Sequence, residues 1–238
     1  MKTIGLVFFL LLGTAWADSD FDAGNRAYDE GNFLEARQHY EAQVARGEWT
    51  ANLFYNLGNA DQRLGAMGLA MLNYERALAL RPGHPEARAN LVYLREQAKS
   101  EVSPLNWQTR VFNLLTFDRW LVLATVAGWG TLFLLLRPWL FRRKLTGSAV
   151  AGMVCAAGFA ALAGFGAWRT FGELSAAIVV VQEAEALEAP AERAPRAETL
   201  PVGSRVQVLS TQGDWHYCAL PGGVTAWLPA KAIERIRI

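Results

Sequence analysis

Hydrophobic and polar residues follow three different patterns along the 238-residue chain. Residues 18–100 have the composition of helices, whereas residues 201–238 contain short segments in which apolar and polar residues alternate, as in half-buried strands. Between them, residues 120–141 and 145–168 are almost uncharged and have the length of membrane-spanning helices. The patterns predict a multi-domain membrane protein with an all-α domain, a two-helix transmembrane hairpin and a small all-β C-terminal domain.

The helical part contains an internal repeat with the 34-residue tetratricopeptide period, in which each repeat is a pair of helices. The repeated residues are Gly24, Gly31, Ala36 and Tyr40, and then Gly58, Gly65, Ala70 and Tyr74. Small residues recur because the two helices of a repeat approach closely there. We predict repeats over residues 17–50 and 51–84 and a capping helix over residues 85–100. Asp61 departs from the pattern, because an aromatic residue is usual at its position.

Residues 1–17 have the three parts of a secretory signal peptide: the basic residue Lys2, an apolar run over residues 4–12 and the triplet Ala15-Trp16-Ala17. Cleavage is expected after Ala17. The alternative is an uncleaved anchor, although the apolar run is shorter than the ~20 residues that span a bilayer. In both cases the helical domain leaves the cytoplasm.

The loop between the two predicted spans is basic and predicts their orientation. It consists of Arg142, Arg143 and Lys144. Because cytoplasmic loops carry an excess of basic residues, both flanking domains are expected on the extracytoplasmic side of the inner membrane. Residues 103–118, just before the first span, have the spacing of an amphipathic helix that lies on the membrane surface.

Small residues occupy every fourth position along one face of the second span. They are Ser148, Gly152, Ala156, Ala160 and Gly164. Such a stripe allows the backbones of two membrane helices to approach closely. Its partner is either the first span of the same chain or a helix of another protein.

The C-terminal part reads as short strands joined by tight turns, which favours a small barrel. Strands are predicted at residues 205–209, 215–220 and 224–228, with Val206 and Val208 on one face of the first. The preceding Glu-, Ala- and Pro-rich stretch, up to residue 200, is predicted to be a loop or flexible arm.

Residues 223–229 resemble the end of bacterial SH3-like domains, with Trp227 followed by a hydrophobic residue and Pro229. The resemblance implies an SH3-like domain over residues 177–238. In that domain residues 178–181 are the first strand, the Glu- and Pro-rich stretch is a long variable loop, and Ile233 and Ile236 close the barrel. A groove for an extended Pro-rich ligand is expected at Trp215, Trp227 and Pro229. Alternatively, at least one tryptophan belongs to the core.

The candidate binding surface of the helical domain is rich in asparagine. Asn52, Tyr55, Asn56 and Asn59 have the spacing of one helical face, and the first helix of such repeats lines the concave surface. Amides can hydrogen-bond a peptide backbone or a terminal carboxylate. Alternatively, they cap turns or face water. The full set of candidates is Asn25, Asn52, Tyr55, Asn56, Asn59, Arg63 and Asn90.

Little in the sequence indicates catalysis. The histidines His39, His84 and His216 lack neighbours that would make a catalytic triad or a metal site, and Cys155 and Cys218 lie in different predicted domains. A formal net charge of +1, with the clear basic cluster confined to one loop, gives no extended positive surface for nucleic acid. We therefore expect a non-enzymatic protein without cofactor, metal or nucleic-acid partner.

The order of the predicted domains resembles that of the BatE-type proteins of bacterial aerotolerance operons: signal peptide, tetratricopeptide repeats with the run Phe54-Tyr55-Asn56-Leu57-Gly58-Asn59-Ala60, two membrane spans and an SH3-like domain. The resemblance implies a scaffold that associates with membrane-anchored von Willebrand factor A domain proteins and, indirectly, with a MoxR-type AAA ATPase. Two alternatives stay open. One is an envelope protein that binds peptidoglycan and tethers a hydrolase, and the other is an accessory subunit of an envelope enzyme complex.

The predicted topology can be tested with alkaline phosphatase, which is active only outside the cytoplasm, fused after Lys144 or after Ile238. We expect activity only after Ile238. Replacing Arg142, Arg143 and Lys144 by glutamine should raise the activity of the Lys144-site fusion, because these charges set the orientation. High activity of that fusion without the replacements would contradict the predicted topology.

Overall fold

The computed structural model describes residues 20–100, 112, 115, 117–141 and 146–237. These residues form seven α-helices followed by an antiparallel sheet of seven strands, so the general class of fold is as predicted. The expectations for the signal peptide, for most of residues 103–118 and for the basic loop of Arg142, Arg143 and Lys144 concern residues outside the described part.

Five helices form the N-terminal part, and each packs against the next along the chain. Their bounds are α1 Asp20–Asp29, α2 Phe33–Ala45, α3 Ala51–Arg63, α4 Met67–Leu80 and α5 Pro85–Ala98. The hydroxyl of Thr50 caps α3 by accepting from the backbone N–H of Leu53 at 3.0 Å. Pro85 stands at the start of α5, where its fixed φ suits a helix.

The repeated glycines have two physical roles. Gly31 and Gly65 follow α1 and α3 with φ of 83° and 78°, a conformation that glycine adopts without steric cost. Gly24 and Gly58 lie against the tyrosine of the following helix. A Cβ at Gly24 would lie 2.5 Å from Cε1 of Tyr40, and one at Gly58 would lie 2.8 Å from Cε1 of Tyr74.

Two long apolar helices follow, α6 (Phe117–Phe141) and α7 (Gly147–Phe171), and they pack against each other as a hairpin. Both are long and apolar enough to cross a membrane. Their outer faces carry large apolar side chains: Trp129 is 68% exposed and Val154 is 66% exposed. Such contiguous apolar surface is typical of helices that contact lipid.

The small-residue stripe of α7 is only partly turned towards α6. Ala156, Ala160 and Gly164 are half-buried, whereas Ser148 and Gly152 are exposed. A close contact with α6 lies outside the stripe, at Gly166, where a Cβ would lie 2.6 Å from the ring of Trp120. Phe112 extends this contact, because its ring lies 5.3 Å from that of Phe165.

The C-terminal sheet has the strand order β3-β2-β6-β5-β4-β1-β7. Its strands are β1 Ala176–Val179, β2 Glu183–Leu187, β3 Arg196–Pro201, β4 Arg205–Gln212, β5 Trp215–Ala219, β6 Thr225–Pro229 and β7 Ile233–Arg235. Val206 and Val208 are buried on one side of β4, as the alternation predicts. They join Ala177, Val179 and Leu228 in the core of the sheet.

The expectation of a loop over the Glu-, Ala- and Pro-rich stretch is wrong for much of its length, because β2 and β3 pair as an antiparallel hairpin. Ala184 and Ala186 are buried, while Glu183 and Glu185 are exposed. This alternation is that of a strand, but its inward side chains are alanines, which are poor strand formers. Small inward residues therefore concealed the strand in the sequence.

Helix α4 joins the helical part to the sheet. Leu72 packs with Ala176, Ile178 and Ile236 in one buried cluster. Ile233 lies in the sheet core, whereas Ile236 contributes to this inter-domain cluster instead of to the sheet core. The backbones also approach closely, since a Cβ at Gly68 would lie 2.3 Å from the carbonyl oxygen of Val180.

A buried arginine adds directional bonds to this contact. The guanidinium of Arg76 donates to Oε1 of Glu234 at 2.7 Å and to the carbonyl oxygens of Arg235 at 3.1 Å and Ile236 at 3.3 Å. Because its polar groups are paired, the cation is tolerated in a contact where Arg76 is only 9% exposed. The helical part and the sheet therefore share a closely packed interface.

Replacing Gly68 by alanine should weaken this interface. The added Cβ would meet the backbone of Val180, and the strain should outweigh the gain in helix propensity of about 1 kcal/mol. We expect a net destabilisation of roughly 1–3 kcal/mol, read as a lower melting temperature of the full-length protein in detergent. Gly83→Ala is the control, because a Cβ there meets nothing within 4 Å. Equal melting temperatures for the two variants would contradict the close approach.

Candidate functional site

Helices α1 and α3, together with the turn before α5, line a groove of about 630 Å³. Five of the seven predicted residues of the helical surface line it: Asn25, Asn52, Tyr55, Asn56 and Asn59. Sequence reasoning missed the rest of the lining, which is Phe21, Tyr28, Asp29, Tyr40, Arg81, His84 and Glu86. The groove is thus an amide-rich and tyrosine-rich surface that also includes the charged residues Asp29, Arg81 and Glu86.

Two of the groove asparagines are held by an internal hydrogen-bond network. Oδ1 of Asn25 accepts from the hydroxyl of Tyr40 at 2.8 Å and from the amide nitrogen of Asn56 at 2.8 Å. Burial raises the pKa of Tyr40 to about 12, so its hydroxyl stays neutral and can donate. The network joins α1, α2 and α3 at one point.

The same arrangement recurs one repeat later. Oδ1 of Asn59 accepts from the hydroxyl of Tyr74 at 2.8 Å and from the amide nitrogen of Asn90 at 3.1 Å. Burial also raises the pKa of Tyr74. These contacts use the side-chain oxygens of Asn25 and Asn59 and leave the amide nitrogens of these two residues, which are donors, outside the network.

The two remaining candidates lie beside the groove. Asn90 supports Asn59 from α5, as described above, and is not part of the lining. The guanidinium of Arg63 lies 4.1 Å from the centre of the Phe33 ring, a cation–π contact, and it also lies outside the lining. The cation that does line the groove is Arg81, which follows α4.

His84 has a structural role that its isolation in the sequence concealed. Its Nδ1 accepts from the backbone N–H of Ala87 at 3.3 Å and thereby caps α5. Its ring centre lies 4.9 Å from that of Tyr55. This capping role could have been predicted from the position of His84 directly before Pro85, because proline often follows the capping residue of a helix.

The sheet presents a second candidate surface on β5 and β6. Trp215 lies opposite Pro229, and Tyr217 lies opposite Trp227. All four are half-buried, so neither tryptophan belongs to the fully buried core. Tyr217 was missed, although it stands two residues after Trp215 and must share its face of the strand. Its ring lies 5.1 Å from that of Trp227, and its hydroxyl donates to Thr225 at 2.7 Å.

A buried carboxylate explains the departure of Asp61 from the repeat pattern. Asp61 is 1% exposed and accepts from the amide nitrogen of Asn73 at 2.8 Å, while Nε of Arg37 lies 3.4 Å from its Oδ1. Burial raises the pKa of Asp61 to about 6, and Arg37 and Asn73 only partly oppose that shift. Asn73 in turn accepts from Arg76 at 3.4 Å, so the chain of contacts reaches the inter-domain arginine.

Glu75 provides a second buried carboxylate on α4. Burial opposes its ionisation, but Arg205 and Arg95 outweigh that effect and hold the pKa of Glu75 below its ordinary value. Arg95 donates to it at 2.5 Å, and Arg205 from β4 lies at 3.6 Å. This charged group therefore links α4, α5 and the sheet.

The remaining reactive side chains have simple surroundings. Nδ1 of His39 lies 3.3 Å from Asp20, and Nδ1 of His216 lies 2.9 Å from the hydroxyl of Thr211. Burial raises the pKa of the Cys218 thiol to about 11, which disfavours the thiolate. Within the described part of the chain, no group of three or more His, Cys, Asp or Glu residues is placed to hold a metal ion.

No known protein-family model matches the chain, and no curated protein matches it significantly.

The raised pKa of Asp61 predicts a specific pH dependence. The folded state holds a proton on Asp61 up to a pH of about 6, whereas the unfolded chain releases it near 3.8. Folding therefore loses stability as pH rises from about 4 to about 6. Asp61→Asn keeps an acceptor for Asn73 and removes the titration, so its stability relative to wild type should increase over this range by roughly 1–3 kcal/mol.

Denaturant unfolding of both proteins at several pH values measures this difference. The control is Asp29→Asn, which changes an exposed carboxylate at the groove. A constant difference between wild type and Asp61→Asn from pH 4 to pH 7 would mean that folding does not raise the pKa of Asp61.

Proposed function

We propose that the protein is a non-enzymatic, membrane-anchored scaffold that binds protein or peptide partners in the groove of its helical domain. The main observation in support is the groove itself, which is lined by Asn25, Asn52, Tyr55, Asn56 and Asn59. Amide donors and acceptors match an extended peptide backbone, which carries one donor and one acceptor at each residue other than proline. Aromatic walls add apolar contact for side chains.

The internal amide network favours recognition, because it fixes the amides before a ligand arrives. Asn25 and Asn59 are each held by a tyrosine hydroxyl and by a second asparagine. A preorganised surface loses less conformational entropy on binding. Arg81 at the groove is suited to an acidic side chain or a terminal carboxylate of the partner.

In this proposal the five helices are a tetratricopeptide domain and the sheet is an SH3-like domain, both on the extracytoplasmic side of a bacterial inner membrane. The contact of α4 with the sheet supports a common side for the two domains, because Arg76 bonds directly to Glu234. The hairpin of α6 and α7 supports the same arrangement, because an antiparallel pair returns the chain to the side from which it entered.

The partners proposed from the domain order are membrane-anchored von Willebrand factor A domain proteins and, through them, a MoxR-type AAA ATPase, as in BatE-type systems. A second candidate function is the binding of cell-wall peptides by the sheet. It is favoured by the aromatic surface of Trp215, Tyr217, Trp227 and Pro229. In that case the helical domain would tether a hydrolase or another envelope enzyme.

Crosslinking in native membranes, followed by capture of the full-length protein and mass spectrometry, tests the proposal. The test variant is Asn52→Ala with Tyr55→Phe, because Asn52 is exposed at the groove and Phe keeps the packing of Tyr55. We expect recovery of the groove partners to fall several-fold. Replacing Asn56 or Asn59 would also disturb the internal network and is less informative.

The matched control is Asn32→Ala, an exposed asparagine in the turn between α1 and α2 that does not line the groove. Recovery of von Willebrand factor A domain proteins that falls only in the groove variant would support the scaffold proposal. Equal recovery of every partner from both variants would contradict binding in the groove. Loss of cell-wall fragments in a Trp227→Ala variant alone would favour the second function.

A further inference from the structure

The outer face of α5 is an apolar surface outside the groove. Val92 is 47% exposed and Tyr93 is 53% exposed. Helix α5 is the last helix of the described helical part. With Pro85, Arg88, Ala89 and Glu96 they line a shallow depression of about 590 Å³. The helix that closes an array of helical pairs ordinarily has a polar outer face, so exposed apolar side chains are unusual there.

The repeat period indicates that no helix can pack on this face of α5 as closely as α4 packs on α3. Position 92 corresponds to Gly58, one period earlier, where the ring of Tyr74 approaches too closely for any Cβ. Valine at this position keeps a partner helix further away than α4 lies from α3. Any helix that packs on the outer face of α5 must therefore lie at the wider spacing that is usual between helices with larger side chains.

The charges along α5 are arranged symmetrically about Val92. Arg88 precedes it by four residues and Glu96 follows it by four, and both are exposed. When two copies of a helix pack antiparallel about a two-fold axis at one residue, positions equally far on either side face each other. Arg88 of each copy then faces Glu96 of the other, and Val92 packs on its own equivalent. Arg88 also donates to the carbonyl oxygen of Pro82 at 2.6 Å and retains further N–H donors.

We propose that the outer face of α5 is a homodimer contact, in which two copies of this protein pack their α5 helices antiparallel about Val92. The 14-residue helix is about 21 Å long, so the contact is small compared with a standard interface. Anchoring both copies in one membrane raises their effective concentration and offsets this weakness. The depression and the groove have no lining residue in common.

Disulfide crosslinking of the full-length protein in native membranes tests the two-fold axis. In a Cys155→Ala background, which removes the exposed native thiol, Val92→Cys should form a disulfide-linked dimer on mild oxidation. Gln38→Cys is the control, because residue 38 is also exposed on a helix but lies on α2. We expect several-fold more dimer from Val92→Cys.

A charge exchange tests the reciprocal pairing. In the Val92→Cys protein, Arg88→Glu places two carboxylates opposite each other at both ends of the contact, and Glu96→Arg does the same with two cations. Each change should reduce the dimer several-fold, most clearly at low salt. The double exchange restores opposite charges and should restore the dimer.

Three results would overturn the proposal. The first is equal crosslinking of Val92→Cys and Gln38→Cys, and the second is a double exchange that fails to restore the dimer. The third is a crosslinked product at residue 92 whose mass is that of a different protein, which would assign this face to a hetero-partner.

Discussion

The rest of the structure depends on the burial of α4 on nearly every side. Every residue from Ala70 to Ala77 is buried, including Asn73, Glu75 and Arg76. A helix buried all round normally carries apolar residues only, and polar ones are tolerated there when each finds a partner. Here Asn73 pairs with Asp61, Glu75 with Arg95, and Arg76 with Glu234. Each of these partners comes from a different element, so the polar groups of α4 fix how helices and sheet meet.

This constraint connects the groove to the C-terminal sheet. Tyr74 lies on the same helix, and its hydroxyl holds Asn59 at the groove, while Arg76 two residues later holds the end of the sheet. The chain between α4 and the sheet passes through both apolar helices. If these helices span a membrane, the shared interface brings the domains before and after them together on one side. Close approach at Gly68 and at Gly203, where a Cβ would lie 1.9 Å from the sulfur of Met71, leaves little freedom in that contact.

The amides of the groove illustrate how one set of residues can serve structure and recognition. Asparagine carries donors and an acceptor in one short side chain, so Asn25 can hold Asn56 with its oxygen and still offer N–H groups to a ligand. Buried amides without partners would be costly, and the tyrosine hydroxyls provide those partners from the second helix of each repeat. An internal hydrogen-bond network and a ligand surface are therefore compatible in this arrangement.

The sequence by itself determined the features that depend on local periodicity. The 34-residue repeat indicated paired helices, the long uncharged runs indicated the apolar hairpin, and the alternation at Val206 and Val208 indicated a half-buried strand. Five groove residues were also predictable, because four of them follow helical spacing on α3 and Asn25 recurs as Asn59 one period later. In each case the signal lies within a few turns or one repeat of the chain.

Only the tertiary structure decided which partners the buried polar residues have. In the sequence, Asp61 was only a deviation from the repeat pattern. The contact between Arg76 and Ile236 could not be predicted, because the two residues are 160 positions apart in the chain. The β2–β3 hairpin was missed for a related reason: its inward alanines have little strand propensity and are buried only because neighbouring strands cover them. Such contacts are set by the packing of distant segments, whose mutual position no local pattern encodes.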